Sequence, residues 1–312
     1  MGSESRFSRD TAVERDGATP GRYTTTLSDN WNAPFVPQGG IASAIALRAM
    51  AAELDRPEQR LRTVTTAYAA QVKQGEAEID VTVVRRGRSM SQLVATLRNV
   101  GEPAGHTTLA VFGSRRHGYE FTEPAFPEVP APDECRSWED VPDDFEPQGP
   151  RREGPPTFWE SVESRVAVGH FPWDDYEPNG SERVYWYRFM EPPRLDDGTL
   201  DPLALVTLCD TMPGAVFERI GPGGPDWVPP SVDLTVHLFG DADAEWLLAR
   251  NRARHAGDGY ASVDMELWDP GRGLVAYATQ IMFFVFPDGP PSADQMRPVS
   301  PSSPVSPMHP SG

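Results

Sequence analysis

Residues 39–54, GGIASAIALRAMAAEL, are small or apolar on most sides of a helical wheel, with Arg48 and Glu53 the only charges. A helix of that character belongs inside a protein rather than on its surface. Before it runs the strand-like RYTTTLSDNW (22–31). After it come four β-rich runs: LRTVTTAYAAQV (61–72), EAEIDVTVVRRG (76–87), SMSQLVATLRN (89–99) and AGHTTLAVFGS (104–114). The same order returns about 170 residues later. There RVYWYRFME (183–191) leads to DPLALVTLCDTMPGAVFERI (201–220). Then follow PPSVDLTVHLFG (229–240), EWLLARNRARHAG (245–257), YASVDMELWDP (260–270) and GLVAYATQIMFFVF (273–286). One antiparallel sheet laid around one long apolar helix satisfies strand, helix and four meandering strands, because the meander needs only short hairpin loops. A βαβ sheet would need a helix between strand pairs, and none is offered. The repetition predicts an α+β chain made by duplication and fusion.

Two stretches fall outside the repeat. Residues 118–156 are dense in Pro, Asp and Glu without a sustained period and read as a linker. Residues 287–312 are rich in Pro and Ser and read as a disordered tail. The folded blocks are then 15–117 and 157–286.

The chain has 312 residues and a formal net charge of −18. Phosphate binding wants a basic face, so nucleic acid is set aside as a partner. No apolar run approaches the ~20 residues of a membrane-spanning helix. The opening MGSESRFSRD has no apolar core of a signal peptide, so a cytoplasmic location is expected. Cys135 and Cys209 lie in unlike surroundings and do not suggest a disulfide framework. The six histidines show no HxH or HxxxH spacing, so no metal is expected. Basic residues cluster at Arg85, Arg86 and Arg88 and at Arg250, Arg252 and Arg254. Each cluster reads first as a solvated strand end. Either could instead meet an anion, since local field outweighs net charge within roughly 8–10 Å.

NWNAPFVPQGGIASAIALRAM (30–50) resembles the helix start of hotdog thioesterases, and RRGRSMSQLVATL (85–97) resembles their strand–turn–strand. In the second block LALVTLCDTMPG (203–214), PPSVDLTVHLFG with the following EWLL, and GLVAYATQ (273–280) resemble the C-terminal half of type II, TesB-like acyl-CoA thioesterases. The resemblance implies a tandem, or double, hotdog. Each half would be an antiparallel sheet wrapped around a long central helix. It also implies hydrolysis of an acyl-CoA thioester, without a cofactor, by a water held between an Asp, a Thr or Ser, and a Gln. Carried over residue by residue, these match Asp210, Ser231 (where the family commonly has Thr) and Gln280. The first block has Ala46 or Leu47 near the Asp position and Thr63 and Thr108 near the other two, so only the second carries a complete set. Gly39 and Gly40 at the helix start, with Arg85 and Arg88, are the substrate-binding candidates. The thioester carrier could be coenzyme A or an acyl carrier protein; the acidic chain disfavours an acidic carrier and favours CoA. Tandem hotdogs commonly associate further, so a homo-oligomer is an open expectation.

The residues also admit plainer readings. Burying Asp210 among Leu, Val and Ala is costly unless it is hydrogen-bonded, and a local structural partner would suffice. Gln280 interrupts an apolar strand and could face core or solvent. Ser231 follows Pro229–Pro230, where a hydroxyl is common for turn reasons. Asp201–Pro202 reads as a helix N-cap with proline in the first turn. Pro213 should clash with the carbonyl of Cys209 and disturb the helix beside Asp210. Trp186, Trp246, Phe283 and Phe284 are candidates to line the gap between helix and sheet. Two other functions stay open. Asp233 and His237, four apart on one strand, share a face and would suit a hydratase or dehydratase. A non-catalytic acyl-thioester-binding module would need no turnover at all. No GxSxG elbow is present, so Ser231 is not expected to form an acyl-enzyme.

Overall fold

The computed structural model describes residues 5–33, 35–145, 157–222 and 224–292. The first half runs α1 (Arg6–Asp10), β1 (Glu14–Arg15), β2 (Arg22–Leu27), α2 (Gly39–Leu54), β3 (Arg60–Tyr68), β4 (Gly75–Arg86), β5 (Met90–Asn99) and β6 (His106–Gly113). After β7 (Arg136–Ser137), the second runs α3 (Phe158–Ser161), β8 (Val162–Val168), β9 (Glu182–Phe189), α4 (Pro202–Leu208), α5 (Gly214–Ile220), β10 (Asp233–Leu238), β11 (Leu247–Gly257), β12 (Tyr260–Asp269) and β13 (Gly273–Phe283). Strand order inside the first half is β2-β4-β5-β6-β3, and inside the second β9-β11-β12-β13-β10. The two orders correspond strand for strand, as duplication requires.

The halves meet edge to edge. β3 pairs antiparallel with β10 from Thr63↔His237 to Ala67↔Asp233, making one 13-stranded sheet. Thr65 and Thr235 hydroxyls bond across this seam at 3.0 Å. Side chains alternate about the sheet. Val64, Leu93, Ala95, Ala110, Val236, Met265 and Ala278 point inward into one core with the helices. α2 packs against β4, β5 and β6 and also against α4, which is why its sequence is apolar on most sides. Gly40 sits at the helix crossing: a Cβ there would lie 2.9 Å from both Thr207 Cα and Asp210 Cβ.

The second half does not keep one long helix. Asp201 caps α4, its side chain accepting from Leu203 N–H at 2.9 Å, with Pro202 in the first turn. The helix stops at Leu208, and α5 begins after Pro213. Proline cannot donate the helical bond and crowds the carbonyl four residues back, so residues 209–213 form a turn. Asp210 lies in that turn rather than in a helix.

The stretch expected as a linker takes structure through residue 145, while 146–156 lie outside the described residues. β7 pairs with β8, and Cys135 joins Val184, Trp186, Leu248 and Trp268 in a small cluster on the outer face of the second half. Trp186 Nε1 donates to Pro130 O at 2.9 Å, and Phe126 packs on Trp268 with ring centroids 5.8 Å apart. Trp186 therefore does not line the helix–sheet gap. Trp246 also packs with that outer cluster, under the Arg188 guanidinium at 4.7 Å. Phe283 is exposed, and only Phe284 packs against the main core. Both cysteines are free thiols. Of the expected tail, 293–312 lie outside the described residues. Among the described residues no helix is long and apolar enough to cross a membrane.

Candidate active site

The N-terminus of α2 meets the turn between α4 and α5, and the meeting point is the Asp210 carboxylate. Oδ2 accepts the Gly40 N–H at 2.8 Å. Oδ1 accepts a short hydrogen bond from Gln280 Nε2. Gly40 comes from the first half, while Asp210 and Gln280 come from the second. A helix N-terminus is a natural seat for a carboxylate, because its N–H groups are otherwise unpaired and its dipole is positive. Burial pushes the Asp210 pKa up to about 6, with the donors Gly40, Gln280 and Gly39 holding it back from a larger rise. The result is a carboxylate poised near neutrality, with acceptor capacity left on both oxygens.

Gln280 is 1% exposed and shares the inner face of β13 with Ala276, Ala278 and Met282, so the solvent-facing alternative is excluded. Its Oε1 is buried without a partner. Ser231 forms an isolated bridge with Met282, and directly opposed residues project to one side of a sheet. That puts Ser231 on the face of Gln280, but its hydroxyl is not hydrogen-bonded to Asp210 or Gln280.

Arg85 and Arg88 are not brought to this place. Their neighbour Arg86 donates to Leu54 O at 2.5 Å and Glu53 O at 3.1 Å, at the C-terminal end of α2. Gln59 Nε2 ties down Gly87 O at 2.9 Å at that same end. α2 is sixteen residues long at about 1.5 Å each, and Gly39 and Gly40 are the first two, at its opposite end. The second arginine cluster is consumed in the outer face: Arg250 pairs with Glu182 at 2.5 Å, Arg252 with Glu266 at 2.5 Å and Asp264 at 3.2 Å, and Arg254 with Asp264.

Asp233 and His237 do share a face, as their spacing predicts, but it is the outer one. Leu234, Val236 and Leu238 take the inner positions of β10, His237 is exposed, and Asp233 Oδ1 accepts from Ile281 N–H at 2.8 Å. No acid–histidine pair suited to dehydration faces the helices from this strand.

Two residues near Asp210 were not anticipated. Gln38, just before α2, donates through Nε2 to the carbonyls of Thr207 and Asp210, both at 3.1 Å, tying the helix start to the turn. Tyr68, at the end of β3, places its ring where a Cβ on Gly39 would come within 2.5 Å. Its hydroxyl is buried without a partner, and burial first, then the Asp210 charge, holds its pKa well above the usual phenol value. Tyr68 stays a donor at any ordinary pH. Gln38 adjoins the Gly39–Gly40 pair in sequence, whereas Tyr68 reaches it only in the fold. Beside Tyr68 the His106 ring packs edge-on at 4.8 Å, its pKa pushed down to about 4 by burial, so it is a neutral core histidine.

Among the described residues the first half holds no matching carboxylate. Ala46 and Leu47 are core residues, Thr63 lies on the outer side of β3, and Thr108 bonds to Thr66 at 3.0 Å. Where α4 begins, Arg48 of α2 instead reaches Asp201 at 2.8 Å and Thr11 at 2.9 Å.

Two family models match the chain, the acyl-CoA thioesterase N-terminal domain over residues 27–113 and the acyl-CoA thioesterase C-terminal domain over residues 132–284. Among solved structures, a hot-dog-fold protein of unknown function from Alicyclobacillus acidocaldarius is 25% identical with a TM-score of 0.73, over 90% of this chain and 98% of its own. Acyl-CoA thioesterase II TesB2 from Mycobacterium marinum superposes with a TM-score of 0.68 at 18% identity, over 91% and 100%. The tesB protein of Mycobacterium avium subs paratuberculosis gives 0.69 at 18% identity, over 88% and 97%. These likenesses show the double hotdog fold. No curated protein matches the chain.

Proposed function

The chain belongs to the acyl-CoA thioesterase family, and we propose on that premise that it hydrolyses an acyl-CoA through a water activated by Asp210. The observation that carries this reading is a carboxylate with a pKa of about 6, fixed at once by Gly40 of α2 and Gln280 of β13. Above that pH Asp210 is ionised and accepts a proton from water as the water oxygen adds to the thioester carbon. The tetrahedral intermediate then collapses, the C–S bond breaks, and the proton held by Asp210 passes to the leaving thiolate. Acid and CoA thiol result, with no acyl-enzyme. A well-placed general base contributes about 10²–10⁴-fold.

Gln280 orients the carboxylate through Nε2, and its free Oε1 is available to the same water. Ser231, on the same face of the sheet, is the hydroxyl available to complete the hold. The developing oxyanion needs a donor. Tyr68 supports that role, since its hydroxyl is protonated, unpartnered and beside Gly39. Having no side chains, Gly39 and Gly40 let Tyr68 and Asp210 close directly onto the helix start.

The test is thiol release from short, long and aromatic acyl-CoAs by wild type and Asp210→Asn. Turnover that collapses in the variant supports the reading. Folded wild-type protein that binds acyl-CoA yet releases no thiol moves the function to acyl binding.

A further inference from the structure

Outside the Asp210 site, a second group of buried polar atoms has no partners. Arg183, near the start of β9, is 5% exposed, and its Nε and Nη2 make no hydrogen bond. Asn251 of β11 stands directly opposite in the sheet register, is fully buried, and has no partner for Oδ1 or Nδ2. Both alternate with core residues, Arg183 with Tyr185 and Tyr187 and Asn251 with Leu247 and Ala249, so both face inward beneath α5. The Arg183 guanidinium lies over the Tyr185 ring at 5.1 Å.

A buried guanidinium edge without an acceptor is among the costliest arrangements a protein can keep. The nearest carboxylate does not serve it. A Cβ on Gly169 would lie 2.9 Å from Arg183 Cγ and 3.0 Å from Glu218 Oε2, so Glu218 is a close neighbour. Both Glu218 oxygens are instead engaged by His170, Oε2 by the backbone N–H at 2.9 Å and Oε1 by Nδ1 at 2.6 Å. Among the described residues no ion pair includes Arg183. His170 is half-exposed and stacks on Tyr176 at 3.8 Å, forming the solvent side of the cluster.

The geometry of the free donors is specific. Nε and Nη2 form one edge of the guanidinium, spaced to hold the two oxygens of a carboxylate side by side. Asn251 Nδ2 adds a further donor. Gly214 lets the start of α5 pack directly onto this pair, since a Cβ there would lie 2.4 Å from the Tyr185 hydroxyl and 3.3 Å from Arg183 Cδ. Gly214 follows Asp210 by a single turn of chain, so the cluster neighbours the candidate active site without sharing a residue with it.

We infer that Arg183 and Asn251 form a carboxylate-binding site beneath α5. The carboxylate is either the far end of an ω-carboxyacyl group whose thioester lies at Asp210, or a small free acid. The first source rests on the thioesterase reading and the second does not.

Wild type, Arg183→Met and Asn251→Leu distinguish them in two arms. Calorimetry measures binding of glutarate and acetate against chloride at matched ionic strength. Kinetics compares thiol release from hexanoyl-CoA and adipoyl-CoA, equal in length and differing in the terminal carboxylate. The site predicts a preference of about tenfold or more for the carboxylate in at least one arm, falling towards one in both variants. Binding of free glutarate alone identifies a free acid, and a kinetic preference alone identifies the acyl end. If no acyl-CoA is turned over, the thioesterase reading fails and calorimetry still decides the site. Absence of an Arg183-dependent carboxylate effect from both arms overturns the inference. Both substitutions replace unpaired polar groups by apolar ones of similar size, a change that usually preserves folding, and circular dichroism verifies it.

Discussion

Replacing Asp210 by Asn should slow the enzyme and stabilise the protein, with a pH dependence that follows from the raised pKa. An ordinary aspartate titrates near 3.8, whereas burial brings Asp210 to about 6. Folded Asp210 therefore binds its proton more tightly than the unfolded chain does. Its contribution to stability is complete below about pH 3.8, declines as pH rises, and is lost above about 6. At about 1.4 kcal/mol per pH unit the loss is about 3 kcal/mol. Partial solvent access to Asp210 makes about 2–3 kcal/mol the fair expectation. Asparagine is neutral throughout. It can accept from Gly40 and, if the Gln280 amide turns over, donate to the otherwise unpartnered Oε1. Urea denaturation of both proteins at pH 4, 6 and 8 should show the variant more stable at pH 8, the gap narrowing to near zero at pH 4, with equal m-values. Thiol release should fall about 10²–10⁴-fold. An advantage independent of pH, or a variant less stable at pH 8, would refute the argument.

Gly40→Ala should cost about 1–3 kcal/mol and at least about tenfold in kcat, since the new Cβ meets Thr207 and Asp210 2.9 Å away; denaturation and thiol release measure both. Gln280→Leu removes a donor that lowers the Asp210 pKa, so the rising limb of the pH–rate profile should move above about 6 while kcat falls. A limb that moves downward would contradict the hydrogen bond's role. Arg48→Met strands the buried Asp201 with one backbone donor and should cost about 1–3 kcal/mol, read by denaturant titration, with kcat/KM within about threefold.

The fold was largely written in local pattern. All-round apolarity marked α2 as buried, and Pro213 marked the break that leaves Asp210 in a turn. Phase was harder to read than period. Trp186 alternates correctly along β9, but residues 126–135 cover the outer face of that strand, so a large aromatic fits there as well as in the core. Asp233 and His237 shared a face as expected, and the buried Leu234 and Val236 between them show which face it was. Gln38 and Tyr68 could not be found from spacing, because they acquire their positions only when α2 crosses α4 and β3 joins β10. Tyr68 N–H bonds to Val232 O at 3.0 Å across that junction. Arg85 and Arg88 resembled an anion site in sequence, yet their position was set by the far end of α2.

The β3–β10 seam also changes what mutation can do. Were the two halves separate copies of one chain, Gly40 and Asp210 would meet by association, and dilution would dissolve the site. Carried on one chain, they are held at a fixed effective concentration, so specific activity should not depend on protein concentration. In a symmetric pair every substitution strikes both helix crossings at once. Covalent fusion removes that constraint, leaving one crossing free to keep an uneasy carboxylate and the other to settle into the Arg48–Asp201 ion pair.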